Sequence, residues 1–216
     1  MSFRLELPAN ILLCGMTKSG KTHLLKCLMG LHADFFNYGV VISSTSFNGE
    51  YDYIPDDYVF EDFDASVIDN IIAKQREYVI EQKAGKIRKV PECFIIIDDQ
   101  LGILELHQKR NMFDVLFAKS RHLHITIFLS IQSCSYLSTT IRSNSSYIFI
   151  TKLKSSSVKM MYDVSRDFDT EDDFRKYLKK NCKNYRVVMF DDNNMNDDYI
   201  RIIRAPETIP EFYLEY

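Results

Sequence analysis

At 216 residues, with 46% hydrophobic and 26% charged side chains, the chain can bury one continuous core without disulfides or metals, and disorder is excluded. No apolar run reaches the ~20 residues that span a bilayer, the amino terminus lacks a secretory core, and Cys14, Cys27, Cys93, Cys134 and Cys182 show no metal-type spacing, so a reducing compartment without secretion is expected. A net charge of -3, from 27 basic and 30 acidic residues, excludes nucleic-acid binding by bulk charge and confines any such contact to local clusters at Lys83 to Lys89, Lys109 to Arg121 and Lys152 to Lys159.

The first predicted strand is NILLC at residues 10–14, and the helical stretch THLLKCLMGL follows shortly after it. Between them lies Gly15-Met16-Thr17-Lys18-Ser19-Gly20-Lys21-Thr22, a complete G-x-x-x-x-G-K-[ST] in strand-loop-helix context. Its glycines let backbone N–H groups face phosphates, and the helix amino terminus adds a positive dipole. Lys21 reaches the β and γ phosphates of a nucleotide such as ATP, and Thr22 ligates Mg2+. A chance match of this spelling arises in fewer than about one chain in a hundred of this length, before context is required.

A second strand is predicted at 39–43, followed by an irregular stretch at 44–64, rich in aromatics and aspartates, that has the character of a functional loop. The third strand, at 93–98, is Phe94-Ile95-Ile96-Ile97-Asp98 with Asp99 next in line. Beside a phosphate loop, Asp98 is placed to hold Mg2+ through its water shell and Asp99 to act as general base. The fourth strand, at 124–130, leads to Gln132, an amide suited to sensing the γ phosphate or orienting water.

A further strand is expected at 146–151, then helices at 155–165 and 171–180, and finally YRVVMF and YIRII as an antiparallel pair on the sheet edge or a small appendage. The acidic, Asn-rich segment Asp191 to Asp198 is the turn between them. Alternating strands and helices imply an α/β fold with a mainly parallel sheet in one P-loop domain over 1–216, its core at about 8–152 and its edge elements at about 153–216. The order of motifs is that of RecA-like ATPases and places the Gln132 strand between the Gly15 and Asp98 strands. Phosphoryl transfer also needs a cation on the equatorial oxygens, and Arg121 and Arg142, which flank the Gln132 strand, are the candidates for a finger supplied by a neighbouring subunit.

Together GMTKSGKT, STSFNGEYDYIP, FIIIDD, SRHLHITIFLSIQS and TTIRSNSSYIFI resemble the poxvirus-type genome-packaging ATPases of nucleocytoplasmic large DNA viruses, within the FtsK/HerA superfamily, over residues 8 to about 205. The resemblance implies a homo-oligomeric ring, pentamer or hexamer, that hydrolyses ATP with Mg2+ and drives double-stranded DNA into the virion. Lys21 and Thr22 then serve nucleotide and metal, Asp98 and Asp99 form the acidic pair, Gln132 is the sensor and an arginine acts in trans. It also implies work in the host cytoplasm, at the viral factory, with presence in the virion and docking to capsid or inner-membrane proteins. Two departures stand out: Lys18 occupies a place usually held by a small residue, and Asp99 one that is often Glu. The competing readings are a nucleotide kinase, which needs a small-molecule acceptor, and an assembly switch that binds nucleotide without turnover.

Overall fold

The computed structural model describes residues 4–100, 107–165, 167–194 and 199–214. Its eight strands are β1 (Asn10–Cys14), β2 (Tyr38–Ser43), β3 (Val59–Phe60), β4 (Cys93–Asp98), β5 (Ile125–Ile131), β6 (Tyr147–Ile150), β7 (Arg186–Asp191) and β8 (Ile200–Arg204). They form a single sheet in the order β3-β2-β4-β5-β1-β6-β7-β8. The pairings from β3 to β6 are parallel, whereas β6 with β7 and β7 with β8 are antiparallel. The mainly parallel α/β architecture is therefore as expected, β5 does lie between β1 and β4, and the last two strands extend the sheet edge.

Both faces of the central strands are covered, which is why they read as unbroken apolar runs rather than as alternation. Leu12, Ile95, Ile97, Ile127 and Leu129 point into one buried cluster, and Ile11, Leu13, Phe94, Ile96 and Phe128 into the other. The helices are α1 (Lys21–Leu31), α2 (Ala65–Lys83), α3 (His107–Lys119), α4 (Thr139–Ser143), α5 (Ser155–Tyr162) and α6 (Glu171–Asn181). Leu24, Leu25 and Leu28 of α1 pack on the second cluster, whereas Ile68 and Ile71 of α2, Phe113 and Phe117 of α3, and Phe174 and Leu178 of α6 cover the first. Each such side chain contributes about 1.5–3 kcal/mol on full burial.

Helix starts follow local chemistry. The Asp64 carboxylate accepts from Ser66 N at 2.8 Å, the Ser138 hydroxyl from Ile141 N at 3.0 Å, and Thr170 from Asp173 N at 3.1 Å. Helix α6 adds Glu171, Asp172 and Asp173 in its first turn and Lys179 and Lys180 in its last, complementing the helix dipole. Several boundaries shift by one to three residues from expectation, and two of the shifts have a visible local cause. Strand β5 begins at Ile125 because His124 takes a left-handed φ of 56°, and its ring nitrogen Nδ1 lies 3.1 Å from Glu92 Oε1. Helix α5 ends at Tyr162, where the Ser165 hydroxyl bonds the Tyr162 carbonyl at 2.7 Å. Residues 195–198 of the acidic turn lie outside the described residues.

Candidate nucleotide site

The loop between β1 and α1 is fastened on both sides. Gly15 N donates to Ile131 O of β5 at 3.1 Å, and Met16 N donates to Lys152 O beyond β6 at 2.7 Å. The Ser19 and Thr151 hydroxyls meet at 2.7 Å, and a Cβ on Gly15 would overlap that Thr151 hydroxyl, so any larger residue there would have to displace this pair. Gly20 has a φ of 87°, the conformation glycine adopts without steric cost, and no side chain caps α1. The first amides of α1 are therefore open to an anion. Lys18 sits at φ 57°, so the place where a small residue is usual is here a strained lysine with an exposed side chain.

Lys21 Nζ donates to Gly15 O at 2.9 Å and to Met16 O at 3.2 Å. Burial holds its pKa below the ordinary lysine value, against the opposing pull of Asp98 and then Asp99. Across the cleft, Thr22 Oγ1 stands 3.3 Å from Asp98 Oδ2, and the Tyr51 hydroxyl donates to that same oxygen at 2.6 Å. Asp98 is 3% exposed and Tyr51 2%, so the phenol replaces water as the partner of a buried carboxylate. Burial, reinforced by the Asp98 charge, pushes the Tyr51 hydroxyl far above its usual range and keeps it a donor. Thr22 and Asp98 converge as hard oxygen ligands at the cleft edge, a donor set that suits Mg2+.

Asp99, the residue after β4, takes φ 53° and turns its carboxylate to Gln132 Nε2 in a very short contact. Gln132 Oε1 in turn accepts from Thr17 Oγ1 at 2.6 Å. A chain of hydrogen bonds thus runs from the phosphate loop through Gln132 to Asp99, across the ends of β1, β5 and β4. Left-handed backbone at a non-glycine residue is costly and clusters at functional sites. The cleft enclosed by these groups measures about 530 Å³, with Thr45, Asn48 and Glu50 on its far wall. Parallel sheets place ligands at the carboxyl ends of strands, and all of these residues stand there.

The profile of the family described as Poxvirus A32 protein matches residues 3–205. The chain belongs to the poxvirus A32 protein family. A curated relative of this A32-family chain, uncharacterized protein L437 of Acanthamoeba polyphaga mimivirus, is 24% identical over 201 residues, covering 90% of this chain and 70% of that protein. Uncharacterized protein 075L of Invertebrate iridescent virus 6 is 23% identical over 197 residues, covering 88% and 72%. Among solved structures, the genome packaging NTPase B204 from Sulfolobus turreted icosahedral virus 2 in complex with ATP-gammaS has the same fold, with a TM-score of 0.62 and 18% identity over 93% of this chain and 99% of that one. With this fold and this phosphate loop, the A32-family chain is a P-loop ATPase.

Gly15 to Thr22, Asp98, Asp99 and Gln132 are brought together as expected, but neither candidate arginine of the A32-family chain joins them. Arg121 is exposed in the turn before β5, at the amino end of a seven-residue strand and so about 20 Å from the cleft. Arg142, in α4, donates from Nη1 to Met160 O at 3.1 Å, and its buried Nε has no partner among the described residues. Tyr51 and Glu50 are functional candidates not singled out from the sequence. Their signal was the aromatic and acidic character of residues 44–64 and their place in STSFNGEYDYIP, which marked the segment without singling out either residue. No helix of the described residues is long and apolar enough to cross a membrane.

Proposed function

We propose that this chain is the motor subunit that hydrolyses ATP to move double-stranded viral DNA into the virion, acting as a homo-oligomeric ring. The observation that carries the reading is the hydrogen-bonded chain Thr17–Gln132–Asp99 beside the Thr22–Asp98 pair. It links the phosphate loop to a carboxylate, oriented by Gln132, that can take a proton from an attacking water, as hydrolysis requires. Genome packaging by B204, which shares the fold, and membership of the A32 family support the assignment of the work done.

In this reading Lys21 leaves the Gly15 and Met16 carbonyls for the β and γ phosphates, and the amides opening α1 hold the remaining phosphate charge. Thr22, with Asp98 through the water shell, would hold Mg2+, which would neutralise charge on the phosphate oxygens. Asp99 accepts the proton of the attacking water, while Gln132 fixes the carboxylate and reports the state of the loop through Thr17. The equatorial charge of the transition state is met by an arginine from the next subunit. Arg121 is the better donor, because Arg142 is tied to Met160 of its own chain. DNA is gripped through its phosphate backbone without sequence preference, and capsid or inner-membrane virion proteins supply docking.

The test is phosphate release from ATP, with and without duplex DNA, at several protein concentrations. Stimulation by DNA of any sequence, lost steeply with salt, and specific activity that rises with concentration are expected. Turnover that ignores DNA and depends on a nucleoside or nucleotide acceptor would overturn the motor reading.

A further inference from the structure

A second cavity, about 380 Å³, lies on the β6 side of the phosphate loop and shares Lys18, Ser19 and Gly20 with the 530 Å³ cleft. The two flank the loop on opposite sides of these shared residues. A polyphosphate laid along Gly20 to Thr22 must send the rest of its molecule out on one side. On the β4 side the wall is Asp98, Asp99, Glu50 and Gln132, polar and acidic. On the β6 side it combines Thr151, Tyr185, Val187 and Ala205 with the cations Lys152, Lys183 and Arg186, and the volume falls within the roughly 300–1,000 Å³ typical of small-ligand sites.

Tyr185 is the unusual feature of that wall. Its side chain is 56% exposed, although a tyrosine with no burial role is poorly placed in the strained turn between α6 and β7. Asn184 and Tyr185 follow each other with φ of 52° and 60°, a left-handed pair of non-glycine residues. The turn is held in place by Arg186 N donating to Lys183 O at 3.0 Å and Ala205 N to Tyr185 O at 2.9 Å. The Tyr185 ring is 6.0 Å from the ring of His23, a first-turn residue of α1 that is itself fixed by a 2.6 Å contact with the Pro206 carbonyl. An aromatic face is thus held beside the phosphate loop, in a backbone conformation that its own packing does not call for.

Resting on the nucleotide reading above, we infer that this cavity is the nucleoside subsite and that Tyr185 is its stacking platform for the base. The chemistry recognised is the flat apolar face of a nucleobase, bound by ring stacking beside phosphates gripped by the loop.

The experiment measures binding of a non-hydrolysable ATP analogue and of inorganic tripolyphosphate, each with Mg2+, by calorimetry on the full chain. The proteins are wild type, Tyr185→Phe and Tyr185→Asn, the last chosen because asparagine tolerates left-handed backbone. Expected is a loss of about tenfold in affinity for the analogue in Tyr185→Asn, with tripolyphosphate unchanged and Tyr185→Phe like wild type. Equal analogue affinity in wild type and Tyr185→Asn overturns the inference, and so does a parallel loss of both ligands, which marks Tyr185 as a prop of the loop. Wild type that binds neither ligand defeats the nucleotide reading itself, an outcome distinct from failure of the subsite alone.

Discussion

Tyr51 and Asp98, 47 residues apart in sequence, share a 2.6 Å hydrogen bond to the carboxylate oxygen that also faces Thr22. The phenol fixes which way the buried carboxylate turns, and with it the spacing of the two groups proposed to hold Mg2+. Removing a hydrogen bond to a charged group costs about 1.5–3 kcal/mol. Tyr51→Phe is expected to lower turnover by about tenfold and to raise the Mg2+ concentration for half-maximal activity. Metal titrations of the steady-state rate measure this, and an unchanged Mg2+ requirement would reduce Tyr51 to a core residue.

Lys21→Ala and Asp99→Asn should fail at different steps. The first removes the cation for the phosphates and is expected to abolish most nucleotide binding; the second keeps binding and loses at least about 100-fold in turnover. Binding titrations beside steady-state rates separate them. Gln132→Ala frees Asp99 from its partner and should leave binding intact while cutting turnover, and near-normal rates in Asp99→Asn would remove it as the base.

His32 gives a pH signature independent of the site. Its ring accepts from Leu5 N at Nε2, 3.0 Å, and lies 2.9 Å from Leu28 O at Nδ1, so the fold holds one neutral tautomer. Burial depresses its pKa, with the Leu28 carbonyl opposing and the Arg4 charge adding to the effect. The unfolded chain, titrating near ~6.5, then binds more protons than the folded one between the two values. Stability is complete above ~6.5 and falls as pH drops through the depressed folded value. Melting temperatures from about pH 7.5 to about pH 5 should decline more steeply in wild type than in His32→Gln.

Subunit mixing tests the arginine. Arg121→Ala chains and Asp98→Ala chains, each nearly inactive alone, are expected to regain activity when mixed, because a trans finger contributes ~10³ or more to turnover. Arg142→Ala should instead lower thermal stability by about 1 kcal/mol or more through its lost bond to the Met160 carbonyl. Failure of Arg121→Ala to complement, in confirmed mixed oligomers, would sink the shared-site proposal for that residue.

Most of the cleft was legible in the sequence because its parts are local. The loop, FIIIDD and the strand before Gln132 each announce a strand end with a polar group beyond it, and parallel pairing then aligns those ends. What stayed hidden depends on distant contacts. Strand β3 is two residues long and exists through its register with Val41 and Ile42. Tyr51 acquires its role from a carboxylate two strands' worth of chain away, and Tyr185 from a turn that tertiary packing brings beside α1. The left-handed backbone of Asp99, which aims the carboxylate, carries no composition signal at all.

The phosphate loop is pinned to β5 through Gly15 and to β6 through Met16 and the Ser19–Thr151 pair. A cradle stitched to the sheet on both flanks is held by protein contacts alone, so the proposed binding of ATP calls for little backbone rearrangement. In the proposed motor, the difference between a loaded and an empty subunit would lie in side chains: Lys21 leaving its carbonyls, and the Thr17 hydroxyl choosing between Gln132 and a phosphate. Gln132 would be the first group outside the loop to register that choice, and its amide nitrogen meets Asp99. In the proposed motor, the trigger for hydrolysis and the gauge of occupancy would thus be held by the two ends of one amide.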